Sequence, residues 1–192
     1  MSEQLFAAVA AGDVAQVKAL LQGGTDGNAR DASGATPLMI AASSGNLAVL
    51  DALLAAKVDV NVTGEHGWSA LMKAVYNAEL DRGFPEVVQA LIDAGVNIEA
   101  PIAFGVRPLM LAAGYGEAAV VDVLLQAGAD FRARNDGGRT AMNMVQDKHY
   151  VDVINLLHEA EQMAGDGRGC GTKPKTAAGA SVLTFHKPAS RH

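Results

Sequence analysis

The feature that most constrains the fold of this chain is a segment that recurs at intervals of about 33 residues. Four stretches align on a leading glycine, and these glycines are Gly34, Gly67, Gly105 and Gly138. The spacings are 33, 38 and 33 residues. The match of GFPEVV at 83–88 with GNLAVL at 45–50 assigns the excess in the longer spacing to AELDR, residues 78–82. A fixed period of this length indicates a stack of structural repeats rather than one globular core.

Each repeated segment has the pattern of two short helices joined by a turn. Thr36 can cap a first helix, since its hydroxyl can accept from free backbone amides, and Pro37 suits the first helical position. Thr140 is placed to cap in the same way. Apolar residues recur at helical spacing in the second helices, and Gly95 and Gly128 follow where a left-handed cap requires glycine. Because one helix pair cannot bury its own apolar face, stacked neighbours must supply the core.

Several short motifs recur together at fixed places. TPLM at 36–39 and RPLM at 107–110 are each followed within two residues by a pair of alanines, and QAGAD at 126–130 ends a second helix. Together with the period, these motifs resemble the ankyrin repeat family. The resemblance implies an all-α repeat solenoid, built of helix–turn–helix units with β-turn fingers. The histidine of the family's motif is replaced throughout, here by Met39, Met72, Met110 and Asn143. We interpret this replacement as a packing variant.

The predicted organisation is one elongated domain followed by a tail. A further unit without the opening motif lies upstream, at 5–24, which makes about five repeats. We predict an ankyrin repeat domain over residues 1–164 and a Gly-rich basic tail over residues 165–192. The predicted units are residues 3–30, 31–63, 64–101, 102–134 and 135–162. The insertion at 78–82 should either extend the first helix of its unit by about one turn or build a longer loop.

Charge divides unevenly along the chain. Residues 1–164 carry 10 Lys and Arg against 20 Asp and Glu, a balance of −10, whereas residues 165–192 have a balance of +4. An acidic body argues against nucleic acid as the main partner, because phosphate neutralisation needs a basic surface. No apolar run approaches the roughly 20 residues that cross a bilayer, and no N-terminal secretion signal is recognised. Since the single Cys170 excludes an internal disulfide, we expect a cytoplasmic protein with no membrane partner.

The basic tail admits two interpretations. It can be a solubilising end, or it can dock through ASVLTFHKP at 180–188. Such a segment could pair as an extended strand or fill a groove, on its own chain or on a partner. Pairing between two chains would make the protein self-associate.

The ankyrin resemblance also implies where a partner protein would bind. In that family the first helices and the fingers before them line a concave face. Partner contacts come from finger residues and from two positions late in each first helix, which in the fifth unit are Gln146 and Asp147. Carried over by offset, these positions hold the only Trp and two of the three Tyr. The predicted partner-binding residues are Trp68, Tyr76, Phe104, Tyr115, His66, Asn77 and Arg139.

The four rings among these residues are expected to form one central cluster, with the insertion raising a rim beside it. Large rings dominate binding hot spots, because they bury much area at modest entropy cost. The alternative is that the rings fill gaps between fingers.

Enzyme chemistry finds little support in the sequence. GRGCG at 167–171 lacks the ending of a phosphate-binding loop, no His pair has metalloprotease spacing, and one cysteine cannot build a structural zinc site. Glu65 with His66, and Cys170 with His186, are weak pairs for catalysis. We therefore predict a non-catalytic module for protein–protein interaction, with no cofactor and no metal. The alternative is a regulatory or inhibitory protein that covers a partner enzyme or toxin, with the tail taking part.

Overall fold

A computed structural model describes residues 2–165 of the chain. Within this part there are ten α-helices and no β-strand. The helices are α1 (Ser2–Ala11), α2 (Val14–Gln22), α3 (Pro37–Ser43), α4 (Leu47–Ala55), α5 (Ala70–Val75), α6 (Pro85–Asp93), α7 (Pro108–Tyr115), α8 (Ala118–Gln126), α9 (Ala141–Val145) and α10 (Val151–Gly165). The predicted docking segment at 180–188 and Cys170 lie outside the described residues.

The helices pack in two rows. Each odd-numbered helix, called here a first helix, contacts the even-numbered second helix that follows it. First helices also contact the first helices before and after them, and second helices do the same in their own row. The apolar faces of all five pairs join in one continuous core. The predicted all-α repeat solenoid is confirmed, while the count of five repeats stays a prediction.

Local sequence signals place the helix ends. The hydroxyl of Thr36 accepts a hydrogen bond from the backbone N–H of Met39 at 3.3 Å, and Pro37 opens α3. Thr140 and Asn143 form a reciprocal capping box at α9. Gly95 and Gly128 follow α6 and α8 with φ angles of 83° and 87°, a region that side chains with a Cβ disfavour. The predicted caps and left-handed glycines are therefore confirmed.

The methionines that replace the family's histidine lie inside the core. Met39, Met72 and Met110 are buried, each in the first turn of a first helix. The backbone N–H groups of Met39 and Met72 are still bonded, to the hydroxyls of Thr36 and Ser69. The replacement therefore exchanges a polar turn contact for apolar filling, which agrees with a packing variant.

Glycines between the two helices of a pair let the next unit approach closely. Gly45 follows α3 with a φ of 68°, and a Cβ on it would overlap the ring of Phe84 in the next pair. Gly116 follows α7 with a φ of 81°, and its Cβ would lie 2.8 Å from Cδ1 of Tyr150. Glycine is therefore required at both places for two reasons, backbone conformation and space.

A ladder of hydrogen bonds joins the turns that follow successive second helices. Three backbone N–H groups donate to a side-chain oxygen of the preceding unit, each at 2.8 Å: Asp59 to Asn28, Asn97 to Asn61, and Asp130 to Glu99. Glu99 also accepts from Arg107 at 2.6 Å. Because each bond spans only neighbouring units, the ladder fixes their spacing one step at a time.

Candidate binding surface

The turns that precede the first helices, called here the fingers, expose two side chains in an unusual backbone conformation. His66 and Phe104 occupy the same place in successive fingers, within the short 3-10 turns Glu65–Gly67 and Ala103–Gly105. Their φ angles are 54° and 62°, in the left-handed region. A bulky residue is uncommon there, since its Cβ crowds the backbone. Phe104 is nevertheless 80% exposed, so its ring gains little packing within the chain.

Two of the predicted rings stack on each other across neighbouring units. The ring centroids of Tyr76 and Tyr115 are 3.6 Å apart, and the planes differ by 11°. Tyr76 directly follows α5 and Tyr115 ends α7, so the stack joins the carboxyl ends of two first helices. Tyr115 remains 48% exposed. The stack therefore links two units and presents part of its aromatic area to solvent.

The insertion at 78–82 forms a loop, which decides between the two alternatives that the sequence left open. α5 ends at Val75, and the chain returns on itself through mutual backbone hydrogen bonds between Asn77 and Arg82. The side-chain oxygen of Asn77 accepts from the N–H groups of Glu79 and Leu80 at 2.8 and 3.0 Å. Hydrogen bonds within the loop therefore fix its backbone conformation.

Tyr76 ties this loop to the aromatic stack. Its hydroxyl donates to a carboxylate oxygen of Asp81 at 2.8 Å. This hydrogen bond to the carboxylate is the main reason that the pKa of Tyr76 rises from its ordinary value of 10.0 to about 12. Tyr76 therefore stays neutral and keeps donating over the physiological pH range.

The amide of Asn77 also bonds to the preceding unit, which gives this predicted partner-binding residue a role within the chain. Its nitrogen donates to the backbone oxygen of Ser43 at 2.6 Å. Lys148 makes the corresponding contact two units later, donating to the backbone oxygen of Gly114. Lys148 thus stands at the position of Asn77, and the late pair in the fifth unit is Asp147 and Lys148. Our assignment of Gln146 and Asp147 was one residue short.

Lys148 belongs to a line of contacts that the sequence interpretation missed. Its ammonium lies 5.9 Å from the ring centroid of Tyr115 and 5.4 Å from that of Tyr150. Tyr76, Tyr115 and Tyr150 are all the tyrosines of the chain. They therefore form, with Lys148, one line of contacts across three units. Counting ten residues onward from Gly138, as from Gly67 to Asn77, would have found Lys148.

The surroundings of Trp68, His66 and Arg139 differ from one another. Trp68 is half-buried against the core, with the ammonium of Lys73 5.0 Å from its ring centroid. His66 and Arg139 are exposed on their fingers. Of the four rings expected in one cluster, only Tyr76 and Tyr115 are found stacked among the described residues. All seven residues are exposed or half-buried.

Metal-binding groups and membrane-spanning helices were also sought among the described residues. Residues 2–165 contain no group of three or more His, Cys, Asp or Glu side chains able to hold a metal ion. No helix among them is long and apolar enough to cross a membrane.

Comparison with known proteins gives the family. The model described as ankyrin repeats (3 copies) matches residues 5–102 and 78–166, which together cover well over half of the 192 residues. No curated protein matches the chain. Repeats of this type are generally modules for protein–protein interaction and are generally non-catalytic. With the paired helices, the two-row packing and this match, the chain belongs to the ankyrin repeat family.

Proposed function

We propose that this protein binds another protein through its fingers and the carboxyl ends of its first helices, and that it has no catalysis of its own. The observation that carries the proposal is Phe104, a large apolar ring that is 80% exposed and held at a φ of 62°. An isolated chain gains little from this arrangement, since the exposed ring adds little buried area and the backbone conformation costs free energy. A partner that buries the ring would recover the cost.

Rigidity supports the same proposal. The finger that carries Phe104 is closed by a backbone hydrogen bond from Ile102 to Val106 and bonded to the next finger through the N–H of Asp136. A finger with such a fixed backbone loses little backbone entropy on binding, so more of the buried area contributes to affinity. The expected anchors are therefore Phe104 and the exposed edge of Tyr115.

The remaining predicted residues take different parts in the proposal. Trp68 and Tyr76 would contribute the exposed parts of their half-buried rings, with His66 and Arg139 as polar contacts beside them. Asn77 would act by holding the insertion loop in place, because its amide is engaged on both sides. We propose a protein rather than nucleic acid as the partner, since residues 1–164 carry a balance of −10. The proposed compartment is the cytoplasm.

Affinity capture from a native cell extract tests the proposal. Phe104→Ala should lose the partners that the wild type retains, with melting nearly unchanged because the ring packs against little. Val151→Ala is the matched control, since Val151 is 61% exposed but lies on the second helix α10. Equal capture by wild type and Phe104→Ala would refute the assignment of this surface. Phe104→Ala with Tyr115→Ala extends the test, although the second change also removes the ring stack.

A further inference from the structure

The insertion loop presents an apolar side chain that the sequence interpretation did not single out. Leu80 is 53% exposed in the turn of the loop. Its backbone is fixed, because its N–H donates to Asn77 and the loop is closed by backbone bonds between Asn77 and Arg82. The base is anchored by Phe84, which is buried and whose N–H donates to the oxygen of Ala74 at 2.8 Å. Leu80 is thus held out to solvent by a braced structure.

The loop is continuous with the tyrosine stack. Asp81, next to Leu80, accepts from the hydroxyl of Tyr76 at 2.8 Å, and Tyr76 stacks on Tyr115 at 3.6 Å. Leu80 and Tyr115 are therefore linked by a short chain of contacts through Asp81 and Tyr76. An apolar area held rigidly beside a polar rim is the usual composition of a protein-binding surface.

Three carboxylates and two cations lie around this region. Glu79 and Asp81 are exposed on the loop, and Glu117 lies close enough to Tyr76 to contribute to its raised pKa. Two cations, Arg82 and Lys148, also lie nearby and keep their charge. The guanidinium of Arg82 lies 5.1 Å from the ring centroid of Phe84, and Lys148 donates to the oxygen of Gly114. Three carboxylates against two cations give a local balance of −1, so the region favours an approaching cation.

We propose that residues 78–82 and Tyr115 form a specificity subsite for a partner segment that carries Arg or Lys next to a bulky apolar residue. The apolar side chain packs on Leu80 and Tyr115, and the cation lies beside Glu79. This inference rests on the proposed function and adds to it the chemistry of the partner at one place. The apolar contact supplies most of the affinity, whereas the charge selects among partners.

A displayed library of random linear peptides, selected on the full-length protein, tests the subsite. Selected peptides should be enriched in Arg or Lys next to a bulky apolar residue. Leu80→Ser should weaken their binding about tenfold, as loss of a buried leucine contact predicts. Glu79→Gln should weaken it about threefold at low salt, with a smaller effect at high salt. Both variants keep the backbone N–H groups that brace the loop.

The control is Leu47→Ser, which alters a leucine that is 38% exposed on the second helix α4 and should leave peptide affinity unchanged. Selection of acidic or uncharged peptides, or equal affinity for Leu80→Ser and wild type, would overturn the inference. If those peptides still lose affinity with Phe104→Ala, the proposed function stands without this subsite. Peptides indifferent to every variant would count against both. Failure of the full chain to bind any peptide, as expected if its own residues 166–192 cover the region, would overturn the assignment to a separate partner.

Discussion

Phe104 has a left-handed backbone conformation, and its ring has little contact within the chain to compensate for it. Asparagine tolerates this conformation better than phenylalanine, because its short polar side chain can bond locally. We predict that Phe104→Asn raises the free energy of unfolding by about 0.5–1 kcal/mol, measured by denaturant titration. It should also lose the captured partner.

Phe104→Ala separates the two effects. Alanine removes the ring but keeps the backbone penalty, so this variant should lose binding without becoming more stable than the wild type. If Phe104→Ala were clearly less stable than the wild type, the ring would have a packing role in the fold, and the exposed-anchor interpretation would be wrong.

Tyr76 gives a prediction about pH at the same scale. Its pKa in the folded protein, about 12, lies above the ordinary value of 10.0, so folding favours the neutral hydroxyl. This contribution to stability is fully present below about pH 10 and is lost as the pH rises towards 12. Tyrosinate absorbance should show Tyr76 ionising in that upper range. Asp81→Asn should move this transition to lower pH, whereas Asp51→Asn on α4 should not.

Among the elements, the glycines after the helices differ in what surrounds them. Gly116 and Gly128 both have φ angles above 80°, but a Cβ on Gly116 would lie 2.8 Å from Tyr150, whereas a Cβ on Gly128 would meet nothing within 4 Å. We predict that Gly128→Ala costs about 1 kcal/mol from backbone strain alone. Gly116→Ala should cost clearly more, because Tyr150 must also move. Thermal unfolding of the two variants measures the difference, and equal losses would contradict the close approach.

The helix ends could be predicted from the sequence because their causes are local. Thr36 and Thr140 cap their helices through atoms three residues away, and Gly128 needs only its own backbone angle. The path of the insertion could not be predicted. It depends on Asn77 reaching Ser43 in the preceding unit and on the burial of Phe84, and neither contact has a signature in a short stretch of sequence.

For the whole molecule, the period predicted the solenoid but not the contacts among its surface side chains. The offset between units selected Tyr76, which directly follows α5 and is half-buried, and Tyr115, which ends α7 and is exposed. It was one residue short in the fifth unit, where the motif is degenerate, and so passed over Lys148. The stacking of Tyr76 on Tyr115 depends on how the two units are placed relative to each other in three dimensions. The spacing in the sequence does not specify this placement.

Because the helix pairs are stacked in chain order, a substitution at one end of the stack should affect that end and not the other. Lys148 bonds to Gly114 and lies beside the rings of Tyr115 and Tyr150, so it couples the last helix pair to the one before it. In a stack held by nearest-neighbour contacts, loss of this coupling weakens the terminal pair and leaves distant pairs unaffected. We predict that Lys148→Ala lowers the free energy of local opening in α9 and α10 by about 1 kcal/mol, or about fivefold faster amide exchange, with no change in α1 to α4. Hydrogen exchange followed by mass spectrometry measures both ends in one experiment, and Lys18→Ala on α2 controls for loss of an exposed lysine. Equal acceleration in every helix would mean that the chain opens as one unit, and the nearest-neighbour description would then be wrong for this protein.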